Sequence, residues 1–143
     1  MKNNVCPFCD QEQAYRYVAV GKFTKIIYPK SPASDYHLLI TPIRHVEHID
    51  DLNTEEVLET FEHLQKLVTA GKSNLANFAG YNILSNNGTE HVSQRVPHCH
   101  LHVFLRTSED QDPIRATHSK HPEPLTLKQK KVLAQIKQWL SQP

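Results

Sequence analysis

The stretch that decides the fold is Arg95–Arg106, RVPHCHLHVFLR, in which His98, His100 and His102 are separated by single residues. Side chains of a β-strand point alternately to opposite faces. Read as a strand, the stretch puts three imidazoles on one face and Cys99, Leu101 and Val103 on the other. One face then enters a core, and the other carries groups that titrate near neutrality and act as nucleophiles, acids, bases or metal ligands. A solvated strand that is His-rich by coincidence, or a surface that only binds metal, is the plainer alternative.

Working outward, NGTEHVSQR (87–95) is a loop rich in turn residues that leads directly into the histidine row, and GYNILSN (80–86) before it reads as a strand. From Thr54 to about Asn77, Val57, Leu58, Phe61, Leu64, Leu67, Val68 and Leu75 recur at the three-and-four spacing of an amphipathic helix, capped by Asn53 or Thr54. YHLLITP (36–42) is a strand ended by Pro42, and YRYVAVGKFTKIIYP (15–29) is a hairpin broken at Gly21 and Lys22. Residues 107–124 lack periodicity and are expected to be irregular. LTLKQKKVLAQIKQWLSQ (125–142) forms a last helix that packs through Leu125, Val132, Ile136, Trp139 and Leu140.

The 143 residues fit one ordinary domain with its own core. Hydrophobic content of 38% and charged content of 22% are those of a soluble globular chain, and a net charge of +1 gives no electrostatic case for extended nucleic acid. No segment approaches the ~18 apolar residues of a membrane span. MKNNVCPFCDQEQ lacks the apolar run of a signal peptide, so the expected location is cytoplasmic. In a reducing compartment Cys6 and Cys9, spaced C-x-x-C, are expected to bind metal or do redox work, or to be ordinary buried thiols. A redox pair opens a helix, whereas YRYVAVGKF reads as strand, which favours metal. Zinc wants four N and S ligands, and the histidines offer candidates.

The H-x-H-x-H row followed by Val103 and Phe104 resembles the signature of the histidine triad (HIT) superfamily of nucleotide hydrolases and transferases. SPASDYHLLITPIRHVEHIDDL and NNGTEHVSQRVPHCHLHVFLR resemble the family's segments on either side of its long helix, so the likeness covers about residues 15 to 106. It implies an α+β fold, a mostly antiparallel sheet of about five strands, a homodimer and a nucleotide or dinucleotide substrate. By position it makes His100 the nucleophile on an α-phosphorus, with its other ring nitrogen held by a backbone carbonyl. His102 contacts the phosphate or the leaving oxygen, and Asn86 and Gln94 help to orient phosphate. Two positions depart from the pattern. Arg95 stands where Ser or Thr is common, and either contacts phosphate or faces solvent. Pro29 stands near where many members place an acid on the ribose.

Zinc-bearing, bacterial-type members and the galactose-phosphate uridylyltransferases resemble this chain in joining a C-x-x-C to a histidine after the third strand and to the first histidine of the triad. That likeness implies a structural zinc on Cys6, Cys9, His45 and His98, with His48 the rival of His45 in RHVEH. It divides the chain into a knuckle (1–14), a core (15–106) and a C-terminal segment (107–143) of one domain. The expected activity is hydrolysis or nucleotidyl transfer at the α-phosphate of dinucleoside polyphosphates or nucleoside phosphoramidates. The rival is a zinc-stabilised nucleotide-binding adaptor with incidental turnover. Of the other residues, Cys99 is expected in the core, His37, His63 and His91 as surface or satisfied partly buried residues, and His118 and His121 in a loop. Lys128, Lys130 and Lys131 form a solvated helix face.

Overall fold

The structure, a computed structural model, describes residues 5–110 and 124–142. A 3-10 turn, Gln11–Arg16, leads into β1 (Tyr17–Val20), β2 (Thr24–Ile27) and β3 (His37–Pro42). Helix α1 (Thr54–Asn74), β4 (Phe78–Leu84), β5 (Leu101–Thr107) and α2 (Leu127–Ser141) follow. The strands form one sheet in the order β1-β2-β3-β5-β4 with every neighbouring pair antiparallel, an α+β arrangement with one long and one C-terminal helix. Among the described residues no helix is long and apolar enough to cross a membrane. Most of the segment read as irregular, including His118 and His121, lies outside the described residues.

The β1–β2 turn is fixed from outside by α1. The Glu59 carboxylate accepts from the backbone N–H groups of Lys22, Phe23 and Thr24 and from the Thr24 hydroxyl. Burial alone raises its pKa, but those hydrogen bonds outweigh it and bring the carboxyl down to about 2. Gly21 makes room for this contact, because a Cβ there would meet the carboxylate at 2.7 Å.

Helix α1 starts at Asn53, whose side chain accepts from the Glu56 N–H. It ends three residues short of the expected Asn77, because Leu75 turns extended. Leu64, Leu67 and Val68 pack onto Ile26, Ile40, Leu101, Val103 and Leu105, and Val132, Leu133 and Ile136 of α2 complete this core. The apolar stripe is wider than the core it meets. Val57, Leu58 and Phe61 remain 39%, 60% and 51% exposed.

Strand β5 begins at Leu101, well inside the Arg95–Arg106 stretch read as strand. Pro97 has no N–H to give a ladder, the His98 N–H turns back to the Val96 carbonyl, and the Cys99 N–H goes to Val46 in the segment after β3. His98 and His100 therefore lie on the lead-in, and only His102 is in the strand. The alternation survives within β5. Leu101, Val103 and Leu105 enter the core, while His102 and Phe104 face the other side with His37. Strand β4 is an edge strand, with Tyr81 and Ile83 46% and 47% exposed.

Candidate functional site

The other face of the sheet carries two linked groups of side chains. In the first, Cys6, Cys9, His45 and His98 bring one ligand atom each to within 4.8 Å of one another. Cys6 Sγ lies 3.4 Å from His98 Nδ1, Cys9 Sγ 3.5 Å from both His45 Nδ1 and His98 Nδ1, and the two nitrogens are 3.1 Å apart. Tetrahedral bonds of about 2.0 Å to nitrogen and 2.3 Å to sulfur separate ligand atoms by roughly 3.3 Å (N···N) and 3.5 Å (N···S). These four separations thus match those of a closed tetrahedral site.

The protonation pattern agrees with that spacing. His98 Nε2 donates to the Pro42 carbonyl at 2.9 Å, which leaves Nδ1 with its lone pair toward the sulfurs. Burial pushes the His98 ring down to about 4, against the pull of the Pro42 bond, so it is neutral and able to ligate. His48 lies apart, 4.0 Å from Asp51, and has no place in the cluster.

The C-x-x-C turn closes on itself, with the N–H groups of Cys9 and Asp10 both donating to the Cys6 carbonyl. Between the cysteines, Phe8 is buried against Ile27 and Leu39 and meets the rings of both His98 and His100 edge-on. Lys25, itself buried, donates from Nζ to the Phe8 carbonyl and to the Tyr17 hydroxyl. The C-x-x-C turn and the catalytic candidate are therefore joined through one aromatic ring.

The second group holds imidazoles of opposite polarity. His100 Nδ1 lies 2.7 Å from the His98 carbonyl oxygen, which can only accept, so Nδ1 carries the proton and Nε2 the lone pair. Burial lowers the His100 pKa, the carbonyl bond opposing it, so the ring is neutral near pH 7. The His102 tautomer is set through His37. The Ala33 N–H, which can only donate, gives to His37 Nδ1 at 3.0 Å, so the His37 proton is on Nε2. That proton points at His102 Nδ1, 2.9 Å away, and the His102 proton is forced onto Nε2. Burial, then the neighbouring His100, brings His102 down to about 4, so it stays neutral. His100 thus offers a lone pair and His102 an N–H, their ring centroids 4.9 Å apart.

His37, expected at the surface or as a satisfied partly buried residue, is satisfied but fully buried beside the histidine row. It is 3% exposed, stacks on Phe104 at 4.2 Å and sets the His102 tautomer. Of its two companions in that expectation, His63 is buried 3.9 Å from Glu59 and His91 is exposed. Cys99 is buried, which pushes its thiol up to about 11.

A pocket of about 410 Å³ opens beside these rings, lined by His37, His100 and His102 and by Arg95 among others. Asn86 and Gln94 are not among its lining residues. Asn86 is half-buried just beyond β4. The Gln94 amide donates to the Glu47 and Val96 carbonyls and accepts from the Gly88 N–H, bracing three loop segments. A larger open groove of about 740 Å³ between α1 and α2 has neither histidine nor cysteine among the described residues of its walls.

An antiparallel five-stranded sheet bearing a histidine row beside one long helix is the HIT type of α+β protein. The HIT domain model matches residues 12–109, and the chain belongs to that family. A Mycobacterium tuberculosis protein named AP-4-A phosphorylase is 31% identical over 93 residues, 65% of this chain and 47% of that one. An adenosine 5'-monophosphoramidase of Candida albicans is 31% identical over 81 residues, 54% of this chain and 53% of that protein. The match spans about half the length of each. Among solved structures, a Zn-bound histidine triad family protein from Mycobacterium smegmatis superposes with a TM-score of 0.72 at 22% identity, over 95% of this chain and 93% of that one.

Proposed function

We propose that this protein is a HIT-type nucleotide hydrolase or nucleotidyltransferase acting at an α-phosphate through a covalent adduct on His100. The observation that carries the reading is the fixed, opposite polarity of two neighbouring imidazoles, a lone pair on His100 Nε2 and a proton on His102 Nε2. Nε2 of His100 attacks phosphorus, the bond from phosphorus to the leaving oxygen or nitrogen breaks, and its electron pair departs with the leaving group. His102 donates a hydrogen bond to the phosphate or the leaving atom, where negative charge grows. Nδ1 keeps its proton throughout, so the adduct ring is cationic and leaves readily. Water then adds to phosphorus, the P–N pair returns to Nε2, and the surplus proton goes to solvent. Arg95 contacts the phosphate, and Asn86 and Gln94 help to orient it, Gln94 through the loops that it braces.

The relatives named for AP-4-A phosphorylase and monophosphoramidase activity support substrates of the dinucleoside polyphosphate or nucleoside phosphoramidate type. A panel of both classes, followed by chromatography and by intact mass after rapid quench, tests the reading. Turnover with a transient nucleotidyl mass increment on His100 is the expected result. Tight nucleotide binding without cleavage of any member would instead favour the adaptor reading.

Zinc is the metal that the Cys₂His₂ set fits, and its role there is structural, because four protein ligands leave no position for water. The chain is further proposed to form a homodimer. The open edge of β4, with Tyr81 and Ile83, and the uncovered Val57, Leu58 and Phe61 supply surface for a second copy. Light scattering at micromolar concentration is expected to give twice the chain mass, and a persistent monomer would contradict the dimer.

A further inference from the structure

The pocket beside His100 has two chemically different ends. At one end are the lone pair and the N–H of the imidazole pair. At the other end stand Arg16 and Lys30, and the rest of the described lining is mostly apolar, Phe8, Leu39 and Val96 among it, with Arg95, Ser31 and Ser93 among its polar members. No Asp or Glu is among the described residues that line it.

Arg16 is 1% exposed, and its guanidinium donates from Nε to Gln13 Oε1 at 3.2 Å and from Nη1 to the Tyr28 carbonyl at 2.8 Å, with the Tyr15 side chain a further hydrogen-bond partner, so that among the described residues no carboxylate is hydrogen-bonded to it. Asp10 acts on it without forming an ion pair, and burial outweighs that attraction. A cation withdrawn from water is costly unless a negative charge compensates it. Lys30, exposed, adds a second positive charge to the same wall. A bound anion neutralises both.

Strand order says how far apart the protein groups at the two ends stand, each reaching about 3 Å toward its own phosphate. His102 belongs to β5 and Leu39 to β3, whereas Lys30 follows β2 and Arg16 precedes β1, in a sheet ordered β1-β2-β3-β5. With strands about 4.8 Å apart, two or three steps separate the ends by roughly 10–14 Å. A linear polyphosphate crossing that span lays its charges on the apolar wall, whereas a sugar or base crosses it at no such cost. Pro29, in the same wall, has no side-chain acceptor for sugar hydroxyls.

We propose that the pocket takes a nucleotide with two separated phosphates, one at His100 and His102 where it reacts and the second, carried on the sugar, against Arg16 and Lys30. This rests on the nucleotide reading above and names its substrate class. Arg16 and Lys30 are then specificity residues, and phosphate on the sugar replaces recognition of its free hydroxyls.

Calorimetric titration of the full-length protein as purified tests this without needing turnover. The probes are 5'-monophosphates, 5'-diphosphates, 2',5'-bisphosphates and 3',5'-bisphosphates of adenosine and guanosine. One of the two bisphosphate types is expected to bind at least fivefold tighter than both the mono- and the diphosphate, which also tells the 2' from the 3' position. Lys30→Gln is expected to reduce that preference at least threefold, and Arg16→Lys to reduce it in the same direction. If Arg16→Lys fails to fold, Lys30→Gln carries the test alone, since that side chain is exposed. Diphosphates matching bisphosphates, a preference below fivefold, or a preference untouched by Lys30→Gln would overturn the proposal while leaving the nucleotide reading intact. If no probe binds, the nucleotide reading itself fails and this proposal falls with it.

Discussion

Replacing His100 with alanine is expected to lower kcat by roughly 10³- to 10⁶-fold, the loss found when an enzyme's covalent nucleophile is removed. A thousandfold loss is about 4 kcal/mol of barrier. The fold should tolerate the change, because the ring's contacts are one hydrogen bond to the His98 carbonyl and edge contacts with Phe8 and His102. Circular dichroism of the variant should match the parent. His100→Gly with added imidazole should recover part of the activity, since the free ring can enter the gap and offer the same nitrogen. His102→Ala should cost less, because it removes a hydrogen bond to developing charge and not the attacking atom. If His100→Ala keeps more than about a tenth of the parent kcat, a difference under ~1.4 kcal/mol, the nucleophile is another group.

The sequence made the sheet legible because its strands are short β-branched runs bounded by Gly, Pro and polar turns, and the two helices because their apolar residues are periodic. It misplaced the start of β5 because alternation alone cannot say where pairing begins. Cys99 takes Val46 as its partner, and that choice depends on a segment some fifty residues earlier. The importance of His37 was hidden for a related reason. In the antiparallel register His37 pairs with Phe104 and Leu39 with His102, so His37 is the diagonal neighbour of His102. One residue of slip would turn it to the other face. The signal available was its place two residues before Leu39 in a strand that could border the histidine row. The stripe on α1 was legible as apolar, but periodicity does not name what covers it. The cysteine pair was readable as a candidate from spacing and chemistry, whereas which of His45 and His48 stands beside it depends on the turn after Pro42, and no pattern in RHVEH decides that.

Protein purified without added metal is expected to carry one zinc per chain, and removing it should destabilise the fold and abolish activity together. The binding energy of a structural site is folding energy, because the unfolded chain has no site; zinc-finger peptides gain about 10–16 kcal/mol in this way. This chain has its own apolar core, so the loss should be smaller, several kcal/mol, and at about 2–4 °C per kcal/mol the melting temperature should fall by roughly 10 °C or more on chelation. Activity should follow for a structural reason. The residue proposed to ligate through its ring, His98, holds the Nδ1 proton of His100 through its carbonyl, and Phe8 of the C-x-x-C turn packs on both rings. Releasing the turn is therefore expected to free the tautomer and the orientation of the His100 imidazole. Cys6→Ser with Cys9→Ser should lose the metal, and elemental analysis showing less than about half an equivalent in the parent would reduce the pair to ordinary thiols. The two neighbouring histidines separate the ligand from its rival. His45→Ala is expected to lose zinc because its Nδ1 stands 3.1 Å from that of His98, and His48→Ala to retain it because His48 is directed at Asp51. The reverse result would keep the metal and overturn the choice of His45.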